Sequence, residues 1–159
     1  MDERLAAELY ARHARRVYNL ALRFAPDPTR AEDLTQEVFL RILAKAHTFR
    51  RGSDPEPWVI RVATSVFLNH RPRRPDPRPL EGEPPERPGV APERLEEARE
   101  LLARLPAKQR LLFLLVHYES NSAAEAAALT GLRPSTVRSH LKRARRTLAR
   151  FLDGRRTEE

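Results

Sequence analysis

The chain has 159 residues, enough for one ordinary domain or two small helical ones, and 30 Lys and Arg against 22 Asp and Glu give it a formal charge of +8. Such a surplus draws polyanions, nucleic acid foremost, by raising their local concentration and encounter rate. The absence of cysteine excludes disulfides, thiolate-bound zinc, iron–sulfur clusters and cysteine nucleophiles, and the longest apolar run, Leu111 to Val116, is far shorter than the roughly 18 residues a membrane helix needs.

Lys45, Lys108 and Lys142 are the only lysines, so the cations are overwhelmingly arginines, whose planar forks suit phosphates and guanine edges. A GC-rich genome would produce the same bias. The N-terminus, Met1-Asp-Glu-Arg4, lacks a signal-peptide pattern, and a soluble, cytoplasmic protein with no membrane insertion is expected.

In chain order, Leu5, Leu9, Val17, Leu20 and Phe24 recur at helical spacing until Pro26-Asp27-Pro28 stops the first helix. A second helix begins after Thr29, with Leu34, Val38 and Ile42 on one face and Phe39 and Leu43 beside it. Phe49 to Pro57 is expected to be a loop, being too rich in Gly and Pro for a helix. The third helix is expected to start near Pro57, with Trp58, Val62 and Val66 flanked by Val59, Ala63 and Phe67. Trp58, at the head of that apolar stripe, is expected in the core.

Eight of the 14 prolines then fall between Arg71 and Pro92, where large apolar residues are scarce. That stretch cannot bury enough surface to fold and is expected to be a flexible linker. Beyond it, Glu93 to Leu105 and Lys108 to Tyr118 are expected to be helical, the second of them apolar enough to be the centre of a small domain. Ser122-Ala-Ala-Glu125 has the spacing of a capping box, so a short helix should start there and stop at Gly131. Pro134 suits the first turn of a last helix running to about Leu152. The expectation is an all-α protein of two small helical domains: a three-helix N-terminal bundle over 1–71 and a four-helix domain with a helix-turn-helix over 93–153, joined by the Pro-rich linker 72–92.

Arg133, Arg138, Lys142, Arg143, Arg145, Arg146 and Arg150 crowd the last helix with no acid among them. A solvated helix usually mixes both signs, so this imbalance calls for an external anion, which DNA phosphate would supply. Val137, Leu141, Ala144 and Leu148 mark the inner face and leave Arg138, Ser139, Lys142 and Arg143 turned outward for a major groove. A basic surface helix without a partner is the plain alternative. RNA stays open, although readers of single-stranded RNA usually offer aromatic platforms and this segment has none before Phe151. On the second helix, Glu32, Asp33, Gln36 and Glu37 form an anionic patch that would repel DNA and suits a basic protein partner. The helix macrodipole alone would account for Glu32 and Asp33. Around the third helix, Phe49 with Arg50 and Arg51, then Arg61, Asn69, Arg71, Arg73 and Arg74, combine an aromatic with cations in a way that suits an unstacked single strand.

Taken together, Leu105-Pro-Ala-Lys-Gln-Arg110-Leu-Leu112, Ser122-Ala-Ala-Glu125-Ala-Ala127 and Ser135-Thr-Val-Arg138-Ser-His-Leu-Lys142-Arg-Ala-Arg145 resemble region 4 of the extracytoplasmic-function sigma factors, members of the sigma-70 family. Ala31-Glu-Asp-Leu-Thr-Gln36-Glu-Val-Phe-Leu40 looks like their region 2.2, and Trp58-Val-Ile-Arg61-Val-Ala63 with Asn69-His-Arg71 their regions 2.3 to 2.4. The resemblance implies a sigma factor that binds core RNA polymerase through the β′ coiled coil and the β flap and carries it to promoter DNA. Glu32, Asp33, Gln36 and Glu37 would face polymerase. Phe49, Arg50, Arg51, Arg61, Asn69, Arg71, Arg73 and Arg74 would engage the −10 element, and Arg133, Ser135, Thr136, Arg138, Ser139, Lys142, Arg143 and Arg146 the −35 element. An anti-sigma factor is also implied. The chain departs from the family at Ser65, usually asparagine, at Asn69 or His70, where an aspartate usually precedes the arginines, and at Arg133, which replaces a side-chain cap.

Response-regulator output domains share a similar Thr-Val-Arg-Ser-His pattern, so an operator-binding regulator whose N-terminal bundle self-associates is the competing reading. An enzyme is not expected: His13, His47, His70, His117 and His140 are scattered, and no Gly-rich phosphate loop or carboxylate cluster with metal-ligand spacing occurs. Neither cofactor nor metal is expected.

Overall fold

The computed structural model describes residues 2–25, 27–69 and 92–157. Seven α-helices and one 3-10 turn make up the regular structure of those residues, in agreement with the all-helical expectation. The chain divides into two units, Met1–Leu22 with Asp27–Gly89 and Arg23–Pro26 with Val90–Glu159.

In the first unit, α1 (Asp2–Phe24), α2 (Pro28–Lys45) and α3 (Pro55–Asn69) surround one apolar core. Val17, Leu20, Val38, Ile42, Val59 and Ala63 are its buried centre, one stripe from each helix. Tyr10 meets Phe39 edge-on at 4.9 Å, and Arg16 pairs with Glu56, so α1 is tied to both other helices. Asp27 caps α2 by accepting a hydrogen bond from the Arg30 amide at 2.8 Å, with Pro28 opening the helix. The buried hydroxyls of Thr35 and Thr64 donate back to the carbonyls of Ala31 and Arg61 at 2.8 Å, so neither leaves a polar atom stranded in the core.

Three sequence expectations shift here. The third helix begins at Pro55 rather than near Pro57, because the Asp54 carboxylate accepts from the Glu56 amide and supplies a cap just ahead of Pro55. Trp58 is half-buried rather than core, with its ring 5.3 Å from that of Phe49. Leu43 is not beside the core but 41% exposed, since the helix turns it to the side opposite Leu34 and Val38.

In the second unit, α4 (Pro92–Leu102), α5 (Ala107–His117), α6 (Ala123–Thr130) and α7 (Pro134–Thr157) enclose the leucines of α5, of which Leu111, Leu112 and Leu115 are fully buried. The first helix stops at Leu102, earlier than Leu105, and Arg110 explains how. Its Nε and Nη2 donate to the carbonyls of Leu102 and Leu105 at 3.0 and 2.9 Å, and the Leu105 amide also donates to the Leu102 carbonyl, so a hydrogen-bonded turn follows the helix in place of a further helical turn. At the other end of α5, Asn121 donates from its side chain and its amide to the Leu115 carbonyl. The turn between them holds Ser120 at φ 59°, a left-handed conformation that favours glycine.

Ser122 is the N-cap of α6. Its hydroxyl accepts from the Glu125 amide at 3.0 Å while the Glu125 carboxylate accepts from the Ser122 amide at 3.1 Å, closing the capping box. Gly131, at φ 73°, ends the helix. The final helix runs beyond Leu152 to Thr157, and contacts with α4 support the extra turns. The guanidinium groups of Arg104, in the turn after α4, and of Arg155 sit 4.3 and 5.1 Å from the Phe151 ring centre, and Arg155 pairs with Glu100 at 3.5 Å.

Of the stretch expected as a linker, residues 72–91 lie outside the described residues, whereas Pro92 already belongs to α4.

Candidate functional site

Three surfaces carry the residues singled out from the sequence. On α7, Val137, Leu141, Ala144 and Leu148 are buried against the domain, and the opposite side presents Ser135, Arg138, Ser139, Lys142, Arg143 and Arg146 to solvent. Arg133 is exposed just before the helix, its carbonyl accepting from the Val137 amide at 3.0 Å, whereas Thr136 is half-buried at the margin. At 1.5 Å per residue, Arg138 to Arg146 spans roughly 12 Å, comparable to the width of a major groove. The Gly131 turn between α6 and α7 completes a helix-turn-helix. His140, also at the margin, is held below its ordinary pKa by burial and then by the cations Arg143 and Lys108.

The second surface surrounds α3. Phe49 follows the 3-10 turn Ala46–Thr48 and leans on Trp58; Arg50 and Arg51 are exposed in the next turn, where Gly52 takes φ 90° and the Ser53 hydroxyl donates to the Arg50 carbonyl. Trp58, Arg61, Ser65 and Asn69 recur along one side of the helix, the last three exposed. The Asn69 amide donates to the Ser65 carbonyl at 2.8 Å, so its side chain lies along its own helix. Arg71, Arg73 and Arg74 lie outside the described residues.

The third surface is the outer side of α2. Glu32 is exposed and Asp33, Gln36 and Glu37 are half-buried, opposite the core row of Leu34, Val38 and Ile42. Next to them the structure shows two residues that the sequence reading did not assign to this side: Leu40 and Leu43, 54% and 41% exposed. Their spacing from Gln36, four and seven residues, places them on the polar side; the signal was present but masked by their apolarity.

Together these define a class: a helix-turn-helix protein whose second unit presents a cationic last helix and whose first unit presents an acidic helix edged with leucines. Comparisons with known proteins narrow it. Residues 9–74 match the family model for sigma-70 region 2, and residues 95–148 that for sigma-70 region 4. The chain is 34% identical to the ECF RNA polymerase sigma factor SigE of Mycolicibacterium smegmatis over 91% of its own length and 60% of that protein's. It is 33% identical to the ECF RNA polymerase sigma factor EcfG of Rhodopseudomonas palustris, over 83% and 76% of the two. Among solved structures, the sigma factor RpoE of Bartonella quintana, in complex with the anti-sigma factor NepR, shares the fold with a TM-score of 0.69 at 21% identity, over 92% of this chain and 96% of that one. The chain belongs to the extracytoplasmic-function sigma factors of RNA polymerase.

Proposed function

We propose that the chain acts as a promoter-specificity subunit: it binds core RNA polymerase and directs transcription initiation, each surface taking one part of the task. The observation that carries this reading is the opposition of charge between two similarly built helices, α2 acidic on its outer side and α7 rich in cations and free of acids along its outer side from Arg138 to Arg150. A DNA-binding protein with no protein partner has no use for the first. In this reading Glu32, Asp33, Gln36 and Glu37 dock on the β′ coiled coil, and the second unit adds a contact to the β flap. Arg138, Ser139, Lys142, Arg143 and Arg146, supported by Arg133, Ser135 and Thr136, hold the −35 duplex in the major groove. Phe49, Arg50, Arg51, Arg61 and Asn69, with Arg71, Arg73 and Arg74, meet the melted −10 strand.

Joined through residues 72–92, two weak contacts become one tight one when polymerase holds both at the right separation. An anti-sigma factor is the proposed regulator, supported by the fold shared with a sigma factor solved in complex with one. The site of action is proposed to be the cytoplasm; among the described residues no helix is long and apolar enough to cross a membrane.

The test is a pull-down with core RNA polymerase, comparing the wild-type chain with Asp33→Ala plus Gln36→Ala. Stoichiometric capture that the double variant loses, with helical content unchanged by circular dichroism, supports the reading. Failure to bind polymerase from several bacteria, with retained binding to specific duplex DNA, overturns it in favour of an operator-binding regulator.

A further inference from the structure

Lys108 and His140 lie off the base-reading row of α7, at its Arg143 edge. Lys108 is exposed in the first turn of α5, and α5 packs along α7 within the second unit. His140 lies half-buried at the margin between the buried row of Val137, Leu141 and Ala144 and the outward Ser139 and Arg143. Its Nδ1 is enclosed without a hydrogen-bond partner. The charges that act on the ring are Arg143 and Lys108, both cations. No acid is among the charges that act on the ring, and two acids of the neighbouring helices are engaged elsewhere: Glu125 of α6 in the capping box, Glu100 of α4 with Arg155. Arg110 of α5 is likewise bound to the carbonyls of Leu102 and Leu105.

We propose that Lys108, His140 and Arg143 form a backbone-phosphate site that extends the DNA-reading face of α7 across to the start of α5. The occupant is a DNA phosphate because the cluster is cationic, lacks a compensating acid and is continuous with Ser139 and Arg143 of the reading row. This rests on the assignment of α7 to the −35 duplex. Without DNA, burial and then the neighbouring cations Arg143 and Lys108 hold the imidazole below its ordinary pKa. A phosphate placed among the three groups reverses the balance of charge, so the ring takes up a proton as DNA binds. The bound state then holds more protons than the free state, and affinity must rise as pH falls through the range between the two pKa values, by up to about tenfold per pH unit for one proton.

The test uses the full chain assembled with core polymerase and a fluorescent duplex bearing a −35 sequence recovered by selection from a random pool. Lys108→Ala should lower the slope of log affinity against log salt by about 0.9, the value of one phosphate contact. From about pH 8 to about pH 5.5 the wild type should tighten, His140→Gln should stay flat, and His140→Arg should hold the tight level throughout. Circular dichroism checks that each variant is folded. An unchanged salt slope in Lys108→Ala, or a wild-type pH profile in His140→Gln, overturns the proposal. Arg138→Ala separates the two levels: if it too leaves binding unaltered, the −35 assignment has failed, whereas if it weakens binding, only the phosphate site has.

Discussion

Helices α2 and α7 are built alike and finished differently. Each lays a four-residue apolar row on its own core, Leu34, Val38, Phe39 and Ile42 in one case and Val137, Leu141, Ala144 and Leu148 in the other. Outside, α2 carries acids, an amide and two bare leucines, and α7 carries arginine, lysine and serine. The inner row sets where a helix sits and the outer row sets what it meets, so core substitutions and surface substitutions should break different properties.

The largest effect is expected in the core. Leu111→Ala, at a fully buried position of α5, should cost about 2–5 kcal/mol, read as a shift in the denaturant midpoint, and should abolish −35 duplex binding by removing the support under α7. Next comes the outer row of α2. Leu40→Ser with Leu43→Ser should weaken capture of core polymerase about tenfold or more while leaving stability within about 0.5 kcal/mol, because both leucines are exposed in the free chain. Equal loss of stability and binding would mean that the leucines belong to the core after all.

Smaller effects probe the helix ends that aim these surfaces. Ser122→Ala should cost about 1 kcal/mol by opening the capping box of α6, measured by thermal melting. Hydrogen bonds from the Ser122 backbone, then from its side chain, hold the Glu125 carboxyl below its ordinary pKa. Its contribution is therefore present above the unfolded carboxyl pKa and lost as pH falls through the lower folded value, and Glu125→Gln should remove that acid dependence. The smallest change has the opposite sign: Ser120→Gly should stabilise by up to about 1 kcal/mol, since glycine adopts the left-handed φ of 59° without strain.

Much of the architecture was legible because it depends on local rules. Proline positions, the capping box and the 3.6-residue period sufficed for every helix and for the outward set on α7. Misjudged features depend on contacts remote in sequence. At the early stop of α4 the Leu102 carbonyl is met by the Arg110 side chain, eight residues on, which no periodicity encodes. The extra turns of α7 meet Glu100 of α4 and Arg104 of the turn that follows it. Leu43 differs for another reason: an apolar residue on the outer side of a helix looks like core until the helix is packed.

The long α7 has a further consequence. Its front half is seated by Val137, Leu141 and Ala144, and its rear is clasped by Arg104, Arg155 and Glu100 around Phe151. A rod seated in front and clasped behind has little freedom to tilt in a groove, so where protein and duplex do not match, the duplex must yield. The energy of bending or narrowing a groove depends on base-step stiffness, so under the proposed −35 reading the pliancy of that DNA, at positions no side chain touches, becomes part of promoter choice.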